Sequence, residues 1–547
     1  MKQAYGGLPL RPRETATMRT RDGVRLDADV WRPDAAGPFP ILLMRQPYGR
    51  SVASTVVYAH PSWYARHGYI VVIQDVRGRG TSEGAFRTLA NEVNDGADTL
   101  DWVSSLPGSS GAVGMYGFSY QSATQLFAAS SLHPALKTIC PAMGPWDTYA
   151  DMAYDGGAFR LQAGMGWGLQ LSVEGARLAG DVTAHQALLA AARSLPLSGA
   201  IPAMPEVLQR YGHYGHYPDW VGHPHPGPFW QEISPGHYTD QVRLPMLHIG
   251  GWYDAMLSGT LAGYRAMARK EGAGPQRLVI GPWVHIPWAS KVGDLEFGDA
   301  AANRIDRLQL GWFDHWLKGI DTGVLNEPAV RLFEIGGAWR DFDRWPATSS
   351  IRHLHSAGRA GLDPAEGRLV AAPVSDAEDV IVFDPWRPTP SHGGHKAYPP
   401  GPVNRRFIDL RNDVATFTTP PLARDLHLAG DVSVELFVSA DQPSFDVCTI
   451  LSIVYSDGRV INLTEGYARI DDRRSPVVIS MRATAAHIVK GCALRLSVAP
   501  GSYPAHPVNN GDGSPPASAR LIDQRIITLT LRHGPANPSR LTLPVIS

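Results

Sequence analysis

Short apolar runs alternate with segments of helical spacing through the first 145 residues, and that rhythm leaves few folds open. Ile41-Leu42-Leu43-Met44 follows Pro-rich punctuation and reads as a buried strand. Tyr69-Ile70-Val71-Val72-Ile73 is β-branched and reads as a second strand, with a helix fitting residues 58–67 between the two. Residues 91–103 place Val93, Ala97, Leu100 and Val103 on one helical face. Val113-Gly114-Met115-Tyr116-Gly117 is a strand that ends in a tight turn, and the small-residue stretch 123–130 is the next predicted helix. Strand and helix in this order predict a parallel sheet with crossover helices.

The pattern breaks near Pro145 and resumes at Met246-Leu247-His248-Ile249 and Leu278-Val279-Ile280. The stretch between is helical and crowded with aromatic and His residues from Tyr211 to Trp230, as an insertion capping the strand ends would be. After about Trp345 the runs 432–438, 494–498 and 526–531 are β-rich, and turn clusters such as Ser456-Asp457-Gly458 separate such runs. That block predicts an antiparallel two-sheet sandwich. The expected division is an α/β domain over 1–145 and 243–345, a cap over 146–242 and a β domain over 346–547. The Pro/Gly-rich stretches 385–402 and 500–516 are expected to be connections within the β part.

Composition narrows the classes of function. Lys+Arg is 50 and Asp+Glu is 51, a balance without the basic excess of a dedicated nucleic-acid binder. Cys140, Cys448 and Cys492 are too few for a disulfide framework and read as reduced core thiols. Met1 to Arg21 lacks the apolar core of a secretory signal, and no run approaches the ~20 apolar residues of a membrane helix. A cytoplasmic protein with no nucleic-acid and no membrane partner is expected; a homo-oligomer is left open.

Ser119 stands in Gly117-Phe118-Ser119-Tyr120, directly after a predicted strand and before a predicted helix. Such a turn projects a hydroxyl above the sheet edge and aims the helix N–H groups at developing negative charge. A serine hydroxyl needs a base, and the base needs an orienting acid. Asp254 follows the run ending at Ile249, and His285 follows the run ending at Ile280, in the Ser, Asp, His order of α/β-hydrolases. Tyr48 follows the strand ending at Met44, where a second oxyanion donor is drawn in such folds, beside the backbone N–H of Tyr120.

The segments Arg45-Gln46-Pro47-Tyr48, Asp75-Val76-Arg77-Gly78-Arg79-Gly80-Thr81-Ser82-Glu83-Gly84, Gly117 to Tyr120, Gly251-Trp252-Tyr253-Asp254 and Gly281-Pro282-Trp283-Val284-His285 together resemble the cocaine esterase-like acyl hydrolases. These belong with the X-prolyl dipeptidyl peptidase class of serine hydrolases. Phe417-Thr418-Thr419-Pro420-Pro421-Leu422 and residues 458–466 extend the likeness to the β domain. The resemblance implies an α/β fold: an α/β-hydrolase domain with a helical cap insertion and a C-terminal all-β jelly-roll sandwich. It also implies Ser119 as nucleophile, His285 as base, Asp254 as its orienter, and Tyr48 with the Tyr120 N–H as oxyanion hole. Ser122 stands where the family usually has glycine.

Family members that hydrolyse amino acid esters hold the substrate ammonium in an acidic cluster, part of which sits just after the triad Asp. Here Ala255, Met256 and Leu257 follow Asp254, and only Asp151 or Asp155 could bring an acid from the cap. Trp252, Tyr253, Trp283 and Trp288, near the triad, are expected to line a pocket for apolar or aromatic acyl groups, with Asp155 at its side. Gly78, Gly80 and Gly84 do not keep dinucleotide spacing, and the His213/His216 and His223/His225 pairs lack a helical frame, so no cofactor and no metal are expected. Asp471-Asp472-Arg473-Arg474 reads as a solvated turn. The expected activity is hydrolysis of a small-molecule ester or amide. The alternatives are an X-prolyl dipeptidyl peptidase or an amino acid ester or β-lactam acylase, an inactive scaffold that binds without cleaving, and a carbohydrate-binding role for the β domain.

Overall fold

The computed structural model describes residues 7–472 and 475–546; Met1 to Gly6, Arg473, Arg474 and Ser547 lie outside the described residues, so the predicted turn at 471–474 is described only in part. Ten strands make one sheet: β1 (Glu14–Arg19), β2 (Arg25–Trp31), β3 (Phe39–Gln46), β4 (Ile70–Asp75), β5 (Ser109–Phe118), β6 (Leu136–Ala142), β7 (Met246–Tyr253), β8 (Gln276–Val284), β9 (Val330–Phe333) and β10 (Trp339–Phe342). Their spatial order is β1-β2-β4-β3-β5-β6-β7-β8-β9-β10. From β4 to β9 every neighbouring pair is parallel. The outer pairs β1/β2, β2/β4 and β9/β10 are antiparallel. Every residue of β4 and β7 is buried, because helices cover both faces of a parallel sheet.

The order has a consequence for the site. The chain leaves β3 toward β4 on one side and later enters β5 on the other, so a crevice opens between the carboxyl ends of β3 and β5. Gln46 ends β3 and Phe118 ends β5. Tyr48 and Ser119 therefore begin their loops at the same edge.

Helix boundaries differ from the sequence pattern for local reasons. The first helix is Pro61–Arg66 rather than 58–67, because the His60 side chain caps it by accepting from the Ser62 N–H at 3.2 Å, with Pro61 in the first turn. The Glu92–Ser104 helix buries Glu92, Asp95, Thr99, Leu100 and Val103, while Val93 and Ala97 stay half-buried at the side of that face. Two acids can occupy that face because Arg45 pairs with Glu92 at 2.6 Å and Arg77 with Asp95 at 2.7 Å. The helix after Ser119 runs Tyr120–Ser130, starting at once.

Between β6 and β7 the cap is built on the helices Leu161–Leu178 and Val182–Arg193 with shorter turns to Tyr238, around a core that includes Tyr154, Phe159, Tyr217, Trp220 and Trp230. No helix among the described residues is long and apolar enough to cross a membrane. From Ser350 onward the chain is almost all β: an eleven-stranded sheet system and a three-stranded sheet of Leu426–Gly430, Thr484–Ile488 and Val545–Ile546. The architecture is an α/β-hydrolase domain with a helical cap and a β sandwich. The sandwich core runs on without a break into residues that follow β7, since Leu257 and Leu261 belong to the same buried cluster as Leu428 and Val434.

The two Pro/Gly-rich stretches do more than connect strands. Leu161 N–H donates to the Ala505 carbonyl at 2.9 Å and Gln162 N–H to that of Pro504 at 3.2 Å, which pins the start of the long cap helix. Tyr398 reaches the cleft described next.

Candidate active site

Ser119 sits at φ +62°, ψ −126°, a strained conformation for a residue with a side chain. Its N–H donates to the Ala142 carbonyl at 3.0 Å, so β6 holds the turn in place. The Tyr120–Ser130 helix starts immediately, and the first N–H groups of a helix have no partner within it. The side chain of Tyr120 is fully committed elsewhere: its hydroxyl donates to Glu92 at 2.8 Å and accepts from the Leu89 N–H at 3.1 Å. That anchor leaves the backbone, not the phenol, to face the turn.

Ser122 is buried, and the space for it comes from Gly144: a Cβ there would lie 2.3 Å from the Ser122 Oγ. The glycine expected after the nucleophile and the space it provides have in effect moved to the end of β6.

Tyr48 accepts a hydrogen bond from the Trp167 indole N–H at 3.2 Å and is hydrogen-bonded to Ser119. Loss of solvent pushes its pKa up to about 12, against the opposing pull of those two bonds and the Arg79 charge. The phenol keeps its proton near neutral pH and can donate it.

Asp254 is fully buried at the turn after β7, and its Oδ1 lies 2.7 Å from the His285 Nδ1. His285 follows β8 directly, and its ring packs 5.4 Å from that of Phe118. With an ionised Asp254 on Nδ1, that nitrogen carries the proton and Nε2 is the basic one. Ser119, His285 and Tyr48 all line one cavity of about 700 Å³ between the sheet edge, the cap and Tyr398. Its apolar wall includes Phe118, Met152, Trp167, Leu195, Trp220 and Met256, and its polar groups include Gln121, Arg160, Gln162 and Gln170.

Comparison with known proteins gives the family. A family model described as X-Pro dipeptidyl-peptidase (S15 family) matches residues 22–287, and one described as X-Pro dipeptidyl-peptidase C-terminal non-catalytic domain matches 322–542. A cocaine esterase from Rhodococcus sp. is 32% identical over 566 residues, covering 96% of this chain and 97% of that protein. The chain belongs to the cocaine esterase-like, X-Pro dipeptidyl-peptidase (S15) family of serine hydrolases. Two solved structures share the fold over nearly the whole length. An aminopeptidase from a marine sediment Thaumarchaeota archaeon has a TM-score of 0.82 at 23% identity, covering 98% of this chain and 96% of its own. An α-amino acid ester hydrolase has a TM-score of 0.78 at 24% identity, covering 100% and 98%. The family makes this S15 chain an enzyme of the serine esterase and acyl hydrolase kind.

Within this S15 hydrolase the expected aromatic wall is elsewhere. Trp252, Tyr253, Trp283 and Trp288 do not line the cleft. Trp252 donates its indole N–H to the Phe333 carbonyl of β9 at 2.6 Å, Tyr253 its hydroxyl to the Asn462 carbonyl of the β domain at 3.1 Å, and both belong to the core cluster shared with the β domain. Trp283 donates to the Ala301 carbonyl at 2.9 Å and stacks on Trp288, which donates to the His285 carbonyl at 3.1 Å. These two buttress the His285 loop from behind. Asp155 is also misplaced by the sequence reading: it is buried in ion pairs with Lys396 and Arg482 of the β domain, beside His506, whose ring is kept neutral by burial. Among the described residues, no three His, Cys, Asp or Glu side chains gather as they would round a metal ion.

Sequence reasoning missed Trp167, Arg160 and Tyr398. Arg160 bonds the carbonyls of Asp151 at 2.5 Å and Ala255 at 2.9 Å, tying the cap to the residue after Asp254. The one available signal was compositional, the two indoles and three glutamines of the cleft and cap start, and it carries no position.

Proposed function

We propose that this S15 hydrolase cleaves esters of uncharged, largely apolar acyl compounds through an acyl-enzyme on Ser119. The Ser119 Oγ attacks the ester carbonyl carbon while His285 Nε2 takes its proton. The carbonyl oxygen becomes an oxyanion, held by the Tyr48 hydroxyl and the Tyr120 N–H. As the intermediate collapses, His285 returns the proton to the departing alkoxide, which leaves as an alcohol. Water, deprotonated by the same imidazole, then releases the acid and restores Ser119. Asp254 keeps the imidazole in the useful tautomer and stabilises its charged form.

One observation carries the substrate class. No carboxylate lines the cleft among the described residues. The two cap acids that could have held an ammonium are already engaged: Asp151 accepts from the Trp146 and Asp147 N–H groups at 3.0 and 2.8 Å and from Ser258 at 2.6 Å, and Asp155 is in its ion pairs. A peptide amino terminus or an α-amino ester would enter a cleft whose one charged group among the described residues is the Arg160 cation, with nothing to pair it. The reading is tested with a p-nitrophenyl ester panel of neutral acyl chains, an α-amino acid ester and a Gly-Pro anilide. The expected order puts neutral acyl esters at least ~100-fold above the two cationic substrates in kcat/KM, the factor an unpaired buried charge of a few kcal/mol implies. Equal or better turnover of the Gly-Pro anilide would return the assignment to a dipeptidyl peptidase.

A further inference from the structure

The segment from Asp75 to Gly84, singled out in the sequence, has no part in the mechanism so far. In the structure it is a tight loop that turns one cation inward. Gly80 has φ +58°, and a Cβ there would lie 1.9 Å from the Asp75 carboxylate, so the backbone closes to a distance only glycine allows. Arg77 is engaged by two carboxylates, the exposed Asp22 and the buried Asp95. Arg79 is used inward and is 1% exposed.

Arg79 is an unusual buried cation. Among the described residues no carboxylate pairs with it, and its Nε and Nη2 have no acceptor. The acid whose charge it feels, Glu174, is engaged with Arg177 at 2.7 Å. Its guanidinium lies 3.7 Å over the Phe86 ring, which in turn packs 6.3 Å from the Tyr120 ring. Its remaining hydrogen bond goes to the Leu171 carbonyl at 3.0 Å. Leu171 is one turn along the cap helix from Trp167, whose indole holds the Tyr48 hydroxyl. Arg79 and Tyr48 thus grip the same stretch of one helix. Its charge also bears on Tyr48 itself.

Burying an arginine without a counter-charge is expensive, and such a cost persists where a charge is needed at another moment. The oxyanion of the proposed reaction forms between Tyr48 and the Tyr120 N–H, and Arg79 reaches the first through the Trp167–Leu171 turn of the cap helix and the Tyr120 ring through Phe86. We propose that Arg79 is a positioning and field residue of the oxyanion site, its unpaired guanidinium finding its counter-charge only when the substrate carbonyl becomes an oxyanion. The interaction acts through Tyr48 and Tyr120 without touching substrate. It lowers the barrier because it is stronger in the transition state than in the ground state. This inference rests on Ser119 and Tyr48 working as described above.

The test compares two ligands on the full-length protein. Phenylboronic acid adds to a reactive serine and places a charged boronate oxygen in the oxyanion site, whereas benzamide occupies the cleft uncharged. Arg79→Met is expected to lower kcat on p-nitrophenyl butyrate by ~10- to 100-fold and weaken phenylboronic acid by a similar factor, about a decade less than the loss of a donor that touches the oxyanion. Benzamide inhibition and KM are expected to stay within about twofold, since neither reports transition-state charge. Arg79→Lys keeps the charge and is expected to hold boronate affinity within about threefold. Equal losses for both ligands, or an unchanged kcat in Arg79→Met, overturn the inference. If Arg79→Met does not fold, Arg79→Lys decides: a more than tenfold loss of boronate affinity there means that side-chain shape rather than charge is what the site uses. Adduct formation between wild-type Ser119 and a fluorophosphonate reports separately on the underlying reading, which stands whether or not Arg79 contributes.

Discussion

Replacing Tyr48 by Phe removes one oxygen from the cleft and leaves the ring in place. The structure says what that oxygen does: it accepts from Trp167 at 3.2 Å and bonds Ser119, and burial keeps it protonated to a pKa of about 12. The first bond is long, and Trp167 is only half-buried, so losing it costs stability no more than about 1 kcal/mol. The catalytic cost is larger. A preorganised donor at a developing oxyanion contributes about 3–4 kcal/mol, or roughly 100- to 1,000-fold in kcat. Because the ground-state ester carbonyl carries little charge, KM is expected to move by less than about threefold. Steady-state kinetics on a p-nitrophenyl ester, with thermal melting run alongside, reads both quantities. A Tyr48→Phe enzyme that keeps kcat within about threefold, or whose loss lies entirely in KM, would refute the oxyanion role. The raised pKa adds a second expectation: the wild-type rate shows no decline from Tyr48 ionisation between pH 7 and 10.

Two further outcomes follow from neighbouring packing. Gly144→Ala drives a methyl to within 2.3 Å of the Ser122 Oγ and is expected to cost about 1–3 kcal/mol in chemical denaturation, the range for overpacking. In a Ser122→Gly background the same change is expected to cost less than about 1 kcal/mol; an undiminished penalty would show that the two residues do not share that space. His216 is buried between Trp167 and Trp220 with neither ring nitrogen bonded among the described residues, and burial lowers its pKa to about 3. The native ring therefore stays neutral while the unfolded one protonates near pH 6.5. Its contribution is present above pH 6.5 and is lost as pH falls toward 3, amounting to about 2 kcal/mol by pH 5. His216→Phe is expected to shrink the difference in unfolding free energy between pH 7 and pH 5 by about that amount, and an unchanged difference contradicts the buried neutral imidazole.

The edge of the sheet was legible because parallel strands send all their carboxyl ends one way. Once residues 41–44, 113–117, 246–249 and 278–280 read as strands of one sheet, Tyr48, Ser119, Asp254 and His285 had to leave from the same side. Side-chain direction was less legible. Trp252 and Tyr253 lie beside Asp254 in the chain, yet they point into a core shared with the β domain, a partner no local pattern reveals. The acids of the Glu92–Ser104 helix show the same limit. A hydrophobic periodicity could not anticipate Glu92 and Asp95 inside, since what buries them is Arg45 and Arg77 from distant loops and strands. Asp155 is charged in sequence and ion-paired in space with Lys396 and Arg482 of the β domain, so it reads as a binding acid only while its partners are unseen.

The central claim is that Ser119 is an activated nucleophile. The measurement that tests it most directly is the intact mass of the protein after brief treatment with a fluorophosphonate, followed by peptide mapping. One phosphonyl group per chain on Ser119, absent from Ser119→Ala and strongly slowed in Asp254→Asn, is the outcome expected here. A wild-type chain that stays unmodified under conditions that label other serine hydrolases, or that is modified at a different serine, would contradict it.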